Sequence, residues 1–318
     1  MRDLARRLGF GKLLLNGFHR PIGKLRDTIA EGGPWEQRRT EAGRLEMIEA
    51  AKRLPKVALL PDTLSAKVNF LSGRKYWYQT LFCFASMQAQ LPFRITPIVF
   101  DDGTLSSTEK EHLIRVVPWT EFVGIDEING RLDEWLPVTK FPKLRARRIV
   151  YPHLRKLTDL HIGNQDWGMV LDSDMLFFGK PSELIEWFES PHAIHMKDIG
   201  DAYGYSPSLM AKLSLLPVLS RVNVGLYGLN RAAIDWERVE FWCSHMLELE
   251  GENYLQEQGL TALELTAQQA KGLSDTRYQL MPGLAEGKSP TAVMHHYVAH
   301  SKRSYFQTCW RQVLVPQN

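Results

Sequence analysis

Trp167-Gly168-Met169-Val170-Leu171-Asp172-Ser173-Asp174-Met175-Leu176-Phe177-Phe178 is the stretch whose reading decides the fold. A short apolar run rises to two carboxylates one residue apart, and hydrophobicity then resumes. Apolar runs of this length, bounded by Gly and polar residues, read as buried strands. Ligands of open α/β sheets bind beyond the carboxyl ends of strands, which is where Asp172 and Asp174 fall. Two hard oxygen ligands there suit Mg²⁺ or Mn²⁺ carrying a substrate diphosphate. The spacing alone is commonplace. With 15 Asp in 318 residues, chance supplies about 0.7 Asp-x-Asp pairs, so placement at a strand end carries the reading.

Working outward, the sequence alternates between strand and helix patterns on both sides of this run. Before it, a strand over 68–71 ends in Ser72-Gly73, and an amphipathic helix over 76–90 follows. A second strand, 93–100, closes in Asp101-Asp102-Gly103-Thr104, and a helix over 107–117 opens with Ser106 and Glu109 spaced as a capping box. The stretch 140–160 reads as one long basic helical region. After the central run come a short helix (181–188), a strand (193–196) and an irregular segment (197–220) with the composition of a lid, an acceptor loop or a plain surface excursion. A strand over 221–227, helices over 232–249 and 257–270, and strands over 278–281 and 292–298 complete the series, the last two finishing the sheet. Strands alternating with helices predict an α/β fold with a mixed, mainly parallel sheet flanked by helices.

Residues 1–55 differ. Through Arg26 there are seven basic residues against one acid, interleaved with Leu4, Phe10, Leu13, Leu14, Leu15 and Phe18. The sequence therefore divides into a basic helical N-terminal arm, 1–55, and a domain, 56–318. The arm either packs on the domain or rests on an anionic membrane surface through residues 1–26. A formal net charge of +3 is too small to argue for nucleic acid. Cys83, Cys243 and Cys309 stand far apart in apolar surroundings and read as buried thiols of a reducing compartment. No apolar stretch reaches the length of a membrane-spanning helix, and Leu13–Leu15 is too short for a signal-peptide core, so the expected location is the cytoplasm.

Further residues agree with the central run. His296 can complete a mixed oxygen and nitrogen shell with Asp172 and Asp174, and Lys302, six positions on, can meet a phosphate as a point charge. Lys143 and Arg145 are cations ahead of the central strand. Asn223 offers an amide two residues before Gly225, where a backbone can approach closely. Glu257-Gln258 opens a helix, a position that also suits a carboxylate with no function.

In this order the motifs resemble the GT-A fold glycosyltransferases, family 8 in particular, the glycogenin and galactosyltransferase group. Asp172-Ser173-Asp174 is similar to that family's DxD metal motif. Lys143-Leu144 resembles its Lys/Arg-Leu pair near the sugar diphosphate, and Asn223-Val224-Gly225-Leu226 its Asn-Ser/Ala-Gly-Val strand facing the donor sugar. Glu257-Gln258 resembles its Asp-Gln pair. His296 to Lys302 has the spacing of its final His-Phe-x-Gly-x-x-Lys motif, in which His binds metal and Lys the phosphate. Ala299, Arg303 and Gly259 depart from the family's Gly, Pro and Asp, and the first strand lacks its short donor-binding pattern. The resemblance covers about 68–306.

It implies a GT-A, Rossmann-like nucleotide-diphospho-sugar transferase fold and a metal-dependent hexose transfer from a UDP-sugar to an acceptor hydroxyl, with retention at the anomeric carbon. The acceptor, whether glycan, lipid or small molecule, is not named by any residue. The implied metal ligands are Asp172, Asp174 and His296, holding Mn²⁺ or Mg²⁺. Phe70, Ser72, Gly73, Lys143, Asp172, Ser173 and Lys302 are assigned to the nucleotide sugar, and Lys302, Gln258, Glu257 and Asn223 to catalysis. An inverting enzyme would instead need a carboxylate base, for which Asp198, Asp201 and Glu257 are candidates. Two other readings compete: a sugar-phosphate nucleotidyltransferase, for which Ser72-Gly73-Arg74 offers a single loop glycine, and a non-catalytic sugar-nucleotide-binding domain.

Overall fold

The computed structural model of the chain describes residues 32–314. The basic segment 1–26, with its choice between packing and membrane contact, lies outside them. A first helix, α1 (Pro34–Ala51), precedes an alternating α/β series. β1 (Ala66–Ser72), α2 (Trp77–Gln88), β2 (Ile95–Asp101), α3 (Ser107–Val116) and β3 (Glu121–Val123) come first. The capping box expected at the start of α3 is present, Ser106 and Glu109 each bonding the other's backbone. α4 (Ile125–Trp135), α5 (Pro142–Val150) and α6 (Arg155–Thr158) lead into β4 (Trp167–Leu171) and β5 (Met175–Phe177). Then follow α7 (Ser182–Glu189), β6 (Ile194–Lys197), α8 (Pro207–Leu213), β7 (Val222–Asn230), α9 (Trp236–Leu249) and α10 (Gln256–Ala267). β8 (Lys271–Gly272), β9 (Tyr278–Leu280), α11 (Leu284–Lys288) and β10 (Met294–His296) precede a helical stretch over 302–312.

The main sheet has seven strands in the order β3-β2-β1-β4-β7-β6-β8. The first four run parallel; β7 is antiparallel to both β4 and β6, so the sheet is mixed as well as mainly parallel. Burial explains the sequence pattern of its centre. Met169, Val170 and Leu171 of β4 are almost inaccessible, being covered by helices on both faces. The centre of β1 is tied to β4 by Asn69, whose buried amide donates to the Met169 carbonyl at 2.8 Å.

The last two strands do not finish this sheet. β9 and β10 join β5 in a separate three-stranded sheet, order β5-β10-β9. The central stretch is therefore two strands, β4 in one sheet and β5 in the other, with Asp172 and Ser173 at the changeover. The region 140–160 is likewise not one helix. Pro152 starts a single 3₁₀ turn between α5 and α6, because a proline inside a helix has no N–H for the ladder. β3 and α4, in a stretch assigned no element from sequence, are short and half exposed.

α1 packs on the 302–312 stretch. Glu36 pairs with Arg303 at 2.9 Å, and a Cβ on Gly43 would lie 2.2 Å from the Phe306 carbonyl oxygen, so the two helices touch backbone to backbone. Segment 197–220 is well anchored: Tyr203 bonds both the Leu219 carbonyl and the Val222 N–H, and Leu209, Met210 and Leu213 of α8 are buried. The three cysteines are buried free thiols, as expected. Among the described residues no helix is long and apolar enough to cross a membrane.

Candidate active site

The changeover between sheets builds the site. The Asp172 N–H donates to the Gly225 carbonyl of β7 at 2.7 Å, and the Asp174 carbonyl accepts from the Tyr297 N–H at 2.9 Å. Backbone bonds from two different strands thus hold the two aspartates in place. His296 ends β10, which pairs His296 with Met175. The result is one cluster: a ligand atom from each of Asp172, Asp174 and His296 lies within 4.8 Å of the others.

The two carboxylates divide their oxygens. Asp172 Oδ2 and Asp174 Oδ1 face His296 Nε2, at 3.6 and 3.2 Å. Asp172 Oδ1 accepts from Lys156 Nζ at 2.5 Å, and Asp174 Oδ2 from Lys302 Nζ. His296 is 2% exposed, and neither of its ring nitrogens has a hydrogen-bond partner. Leaving a buried polar atom unpaired costs on the order of 1–3 kcal/mol. A divalent cation shared with the two facing oxygens would remove that cost, and one imidazole with two carboxylates suits Mn²⁺ or Mg²⁺. The residues present fit such an ion.

Gly225 is the necessary neighbour. A Cβ there would sit 2.2 Å from His296 Cε1 and 2.6 Å from its Nδ1. The imidazole lies directly on the β7 backbone, an approach only glycine permits.

Charge balance sets the protonation states. Burial raises the Asp174 carboxyl, but Lys302 and His296 more than offset it and hold it well below the usual carboxylate range. Burial likewise lowers Lys156, and Asp172 with Glu257 reverse the sign, so its ammonium is retained more firmly than usual. Glu257 goes the other way. Burial, reinforced by Asp172 and opposed by Lys156 and Thr261, pushes it from 4.5 up to about 7. A folded-state value above the unfolded one means that folding takes up a proton between these two pH values. The stability this group contributes is intact below pH 4.5 and is lost as pH rises through about 7. Glu257→Gln should therefore stabilise the protein relative to wild type by about 3 kcal/mol more at pH 8 than at pH 4.5. Urea unfolding of both proteins at the two pH values checks this; a difference that does not change with pH would refute it.

Beside the metal-ligand cluster lies a second polar group. Asn223 donates to Asp198 Oδ2 at 2.9 Å and accepts from the Gly225 N–H at 2.9 Å. Gln258 donates to the same Asp198 oxygen at 3.1 Å and to the Val222 carbonyl at 3.0 Å. Asp198 Oδ1 takes the Ile199 N–H at 2.7 Å. All three side chains are buried. Asn223 and Gln258, 35 positions apart (258 − 223) in sequence, converge on one carboxylate, and through Gly225 the group adjoins His296. Asp201 faces elsewhere, accepting the Arg221 N–H at 2.6 Å.

Other expected residues fall differently. Phe70 is fully buried in the core. Ser72 and Ser173 are brought together, each 2.8 Å from the Thr80 hydroxyl, in a buried chain behind the carboxylates. Gly73 is backed by the Asp102 carboxylate, which a Cβ would meet at 2.1 Å. Lys143 does not join the cluster: its N–H bonds Glu240 at 2.8 Å and its ammonium lies 3.9 Å from Glu248, both on α9. Arg145 caps the end of α4, donating to the Leu132 and Leu136 carbonyls. The cation that reaches Asp172 is Lys156, 8% exposed, which no motif singled out. Only its place in the basic stretch just before the central strand hinted at it. Ala299, where the resembling family has glycine, adopts φ 47°, a left-handed conformation that costs an L-residue about 1 kcal/mol.

The chain is similar in fold to solved glycosyltransferases. The galactosyltransferase LgtC, in complex with donor and acceptor sugar analogs, aligns over 79% of this chain and 97% of its own, with 11% identity and a TM-score of 0.49. Mouse xyloside xylosyltransferase 1 aligns over 73% of this chain and 96% of its own, with 11% identity and a TM-score of 0.47. The glycosyltransferase GlyE of Streptococcus pneumoniae TIGR4 aligns over 79% of this chain and 62% of its own, with 13% identity and a TM-score of 0.42. No protein-family model and no curated protein matches the chain. At such identities and TM-scores the likeness describes an arrangement of elements, and function has to be read from the residues.

Proposed function

We propose that this protein is a metal-dependent glycosyltransferase of the GT-A type, moving a hexose from a UDP-sugar to an acceptor hydroxyl with retention. The observation that carries the proposal is the cluster itself. Two strand-end carboxylates each turn one oxygen toward a buried imidazole whose nitrogens have no other partner. Mn²⁺ or Mg²⁺ held there by Asp172, Asp174 and His296 would neutralise the donor's phosphates as the sugar departs.

The chain's own residues supply the rest. Transfer breaks the bond between the anomeric carbon and the phosphate oxygen and forms one to the acceptor oxygen. Lys302, whose ammonium sits on the outer oxygen of Asp174, is placed to face the negative charge that grows on the leaving phosphate. Asn223, Gln258 and Asp198 form a prepositioned polar surface for sugar hydroxyls. Retention is what the family resemblance implies, and in that reading the departing diphosphate takes the acceptor's proton, while Asp198 keeps its three hydrogen bonds and orients the polar group.

Thermal unfolding with UDP, with and without Mn²⁺, tests the reading. Saturating ligand at 100 times its Kd contributes about 2.7 kcal/mol, so Mn²⁺ should add several degrees, on the order of 5 °C, to the effect of UDP. Asp174→Ala should abolish the Mn²⁺-dependent part. UDP binding that is unchanged in that variant and indifferent to Mn²⁺ would overturn the assignment.

A further inference from the structure

The ionic composition of the cluster is unusual for a site that must attract a dication. Asp172 and Asp174 bring two negative charges, and Lys156 and Lys302 bring two positive ones, each ammonium in direct contact with one carboxylate. The imidazole of His296 adds a third ligand atom. Affinity for hard cations rises with the number of charged ligands and the rigidity of the site. Here the rigidity is present and the net charge is not.

The two lysines differ. Lys302 is partly open to solvent, at 30% side-chain exposure, and can swing aside. Lys156 is nearly enclosed, and the helix that carries it is pinned, with Arg155 donating to the Asp102 carbonyl at 2.7 Å and Thr158 bonding the Leu154 carbonyl and the Asp159 carboxylate. A buried ammonium is tolerated only where anions compensate it, so Lys156 and Asp172 form a permanent pair. Lys156 thereby occupies the one Asp172 oxygen that does not face His296. That leaves Asp172 a single oxygen to offer an ion, with most of its charge already cancelled.

We infer that Lys156 is a positioning residue that restricts Asp172 to one ligand oxygen and cancels its charge, so that a divalent cation binds appreciably only together with the donor's diphosphate. This rests on the metal reading given above and adds a mechanism for coupling ion to donor. The diphosphate brings the negative charge that the protein withholds, and linkage requires each to strengthen the other by the same factor. Free Mn²⁺ would then not fill the site unproductively, and a diphosphate leaving after transfer would release its ion.

Mn²⁺ binding to the full-length protein, followed by the electron paramagnetic resonance signal of the free ion with and without saturating UDP, tests this without any turnover. Wild type should bind Mn²⁺ at least about tenfold more tightly with UDP present, within the usual range of coupling factors. Lys156→Met should bind Mn²⁺ alone several-fold more tightly than wild type does, and UDP should enhance it less. Lys156→Arg, which retains the charge, should keep most of the coupling. A residue that served only to hold the fold would lower Mn²⁺ affinity when removed, with and without UDP alike, and that outcome would overturn the inference. So would wild-type affinity for Mn²⁺ that is the same with and without UDP, a test that stands even if Lys156→Met fails to fold. Absence of Mn²⁺ binding to wild type under either condition would instead overturn the metal reading itself.

Discussion

Gly225→Ala should abolish Mn²⁺-dependent UDP binding and reduce transfer by roughly 10²-fold or more, through a residue that contacts no ligand. The added methyl would fall 2.2 Å from His296 Cε1, far inside van der Waals contact. The imidazole cannot easily yield, being 2% exposed and at the end of a strand paired on both sides. Overpacking of this kind costs about 1–3 kcal/mol of stability, so the protein should still fold. A metal ligand displaced by even about 1 Å no longer meets its ion, and second-sphere errors typically cost 10–100-fold in metal affinity or activity. Calorimetric titration of UDP with Mn²⁺, alongside a melting curve, checks the prediction. Wild-type nucleotide affinity in a folded Gly225→Ala protein would show that His296 is not a ligand.

Lys302→Met should separate binding from chemistry. Negative charge on the leaving phosphate oxygen increases as the glycosidic bond breaks, so a cation beside it matters more to the transition state than to the resting complex. Donor affinity should fall moderately, while turnover should drop by roughly 10²-fold or more, the effect of removing one preorganised electrostatic partner. The loss is sharpened here because Asp174 Oδ2, now bonded by Lys302, would be left without its ammonium. Lys302→Arg should recover only part, since a planar fork replaces a compact ammonium. Steady-state rates of transfer and of donor hydrolysis, with Kd for UDP measured separately, are the readouts. Equal rates in all three proteins would remove Lys302 from the site.

The parts of the site legible in the sequence were those carried by period and spacing. The apolar climb to Asp172 marks a buried strand whatever surrounds it, and Asp172, Asp174 and His296 do converge. Asn223 and Gln258 converge as well, on Asp198. What escaped was decided by the directions in which side chains leave short helices. Lys143, Arg145 and Lys156 look alike along a basic stretch, yet the Pro152 break turns α5 and α6 apart. Lys143 then faces α9, Arg145 caps α4, and only Lys156 reaches a carboxylate. The second sheet was missed for a related reason. β5, β9 and β10 are three residues each, too short for alternation to say which neighbour they pair with. Phe70, which the resemblance places at the nucleotide, is wholly buried in β1 together with its neighbours Val68 and Asn69.

The division of the cluster between two sheets has a consequence for how the protein comes to be active during its own synthesis. Asp172 belongs to the end of β4, but His296 arrives only when β10 adds to β5, 124 positions later (296 − 172). A ribosome needs about 10 s to make that stretch. Until then the two aspartates have no imidazole between them, β5 lacks its partner strand, and Lys302 has not been made. The nascent chain can thus assemble β1 to β4, whose pairings reach as far as Asn69 with Val170, before the proposed site is complete. Closing the site requires β10 to reach back to β5, with His296 pairing Met175, a non-local contact of the kind whose loop closure slows folding. Donor binding would therefore serve as a sensitive probe of whether the final strand has docked, in refolding as much as in translation.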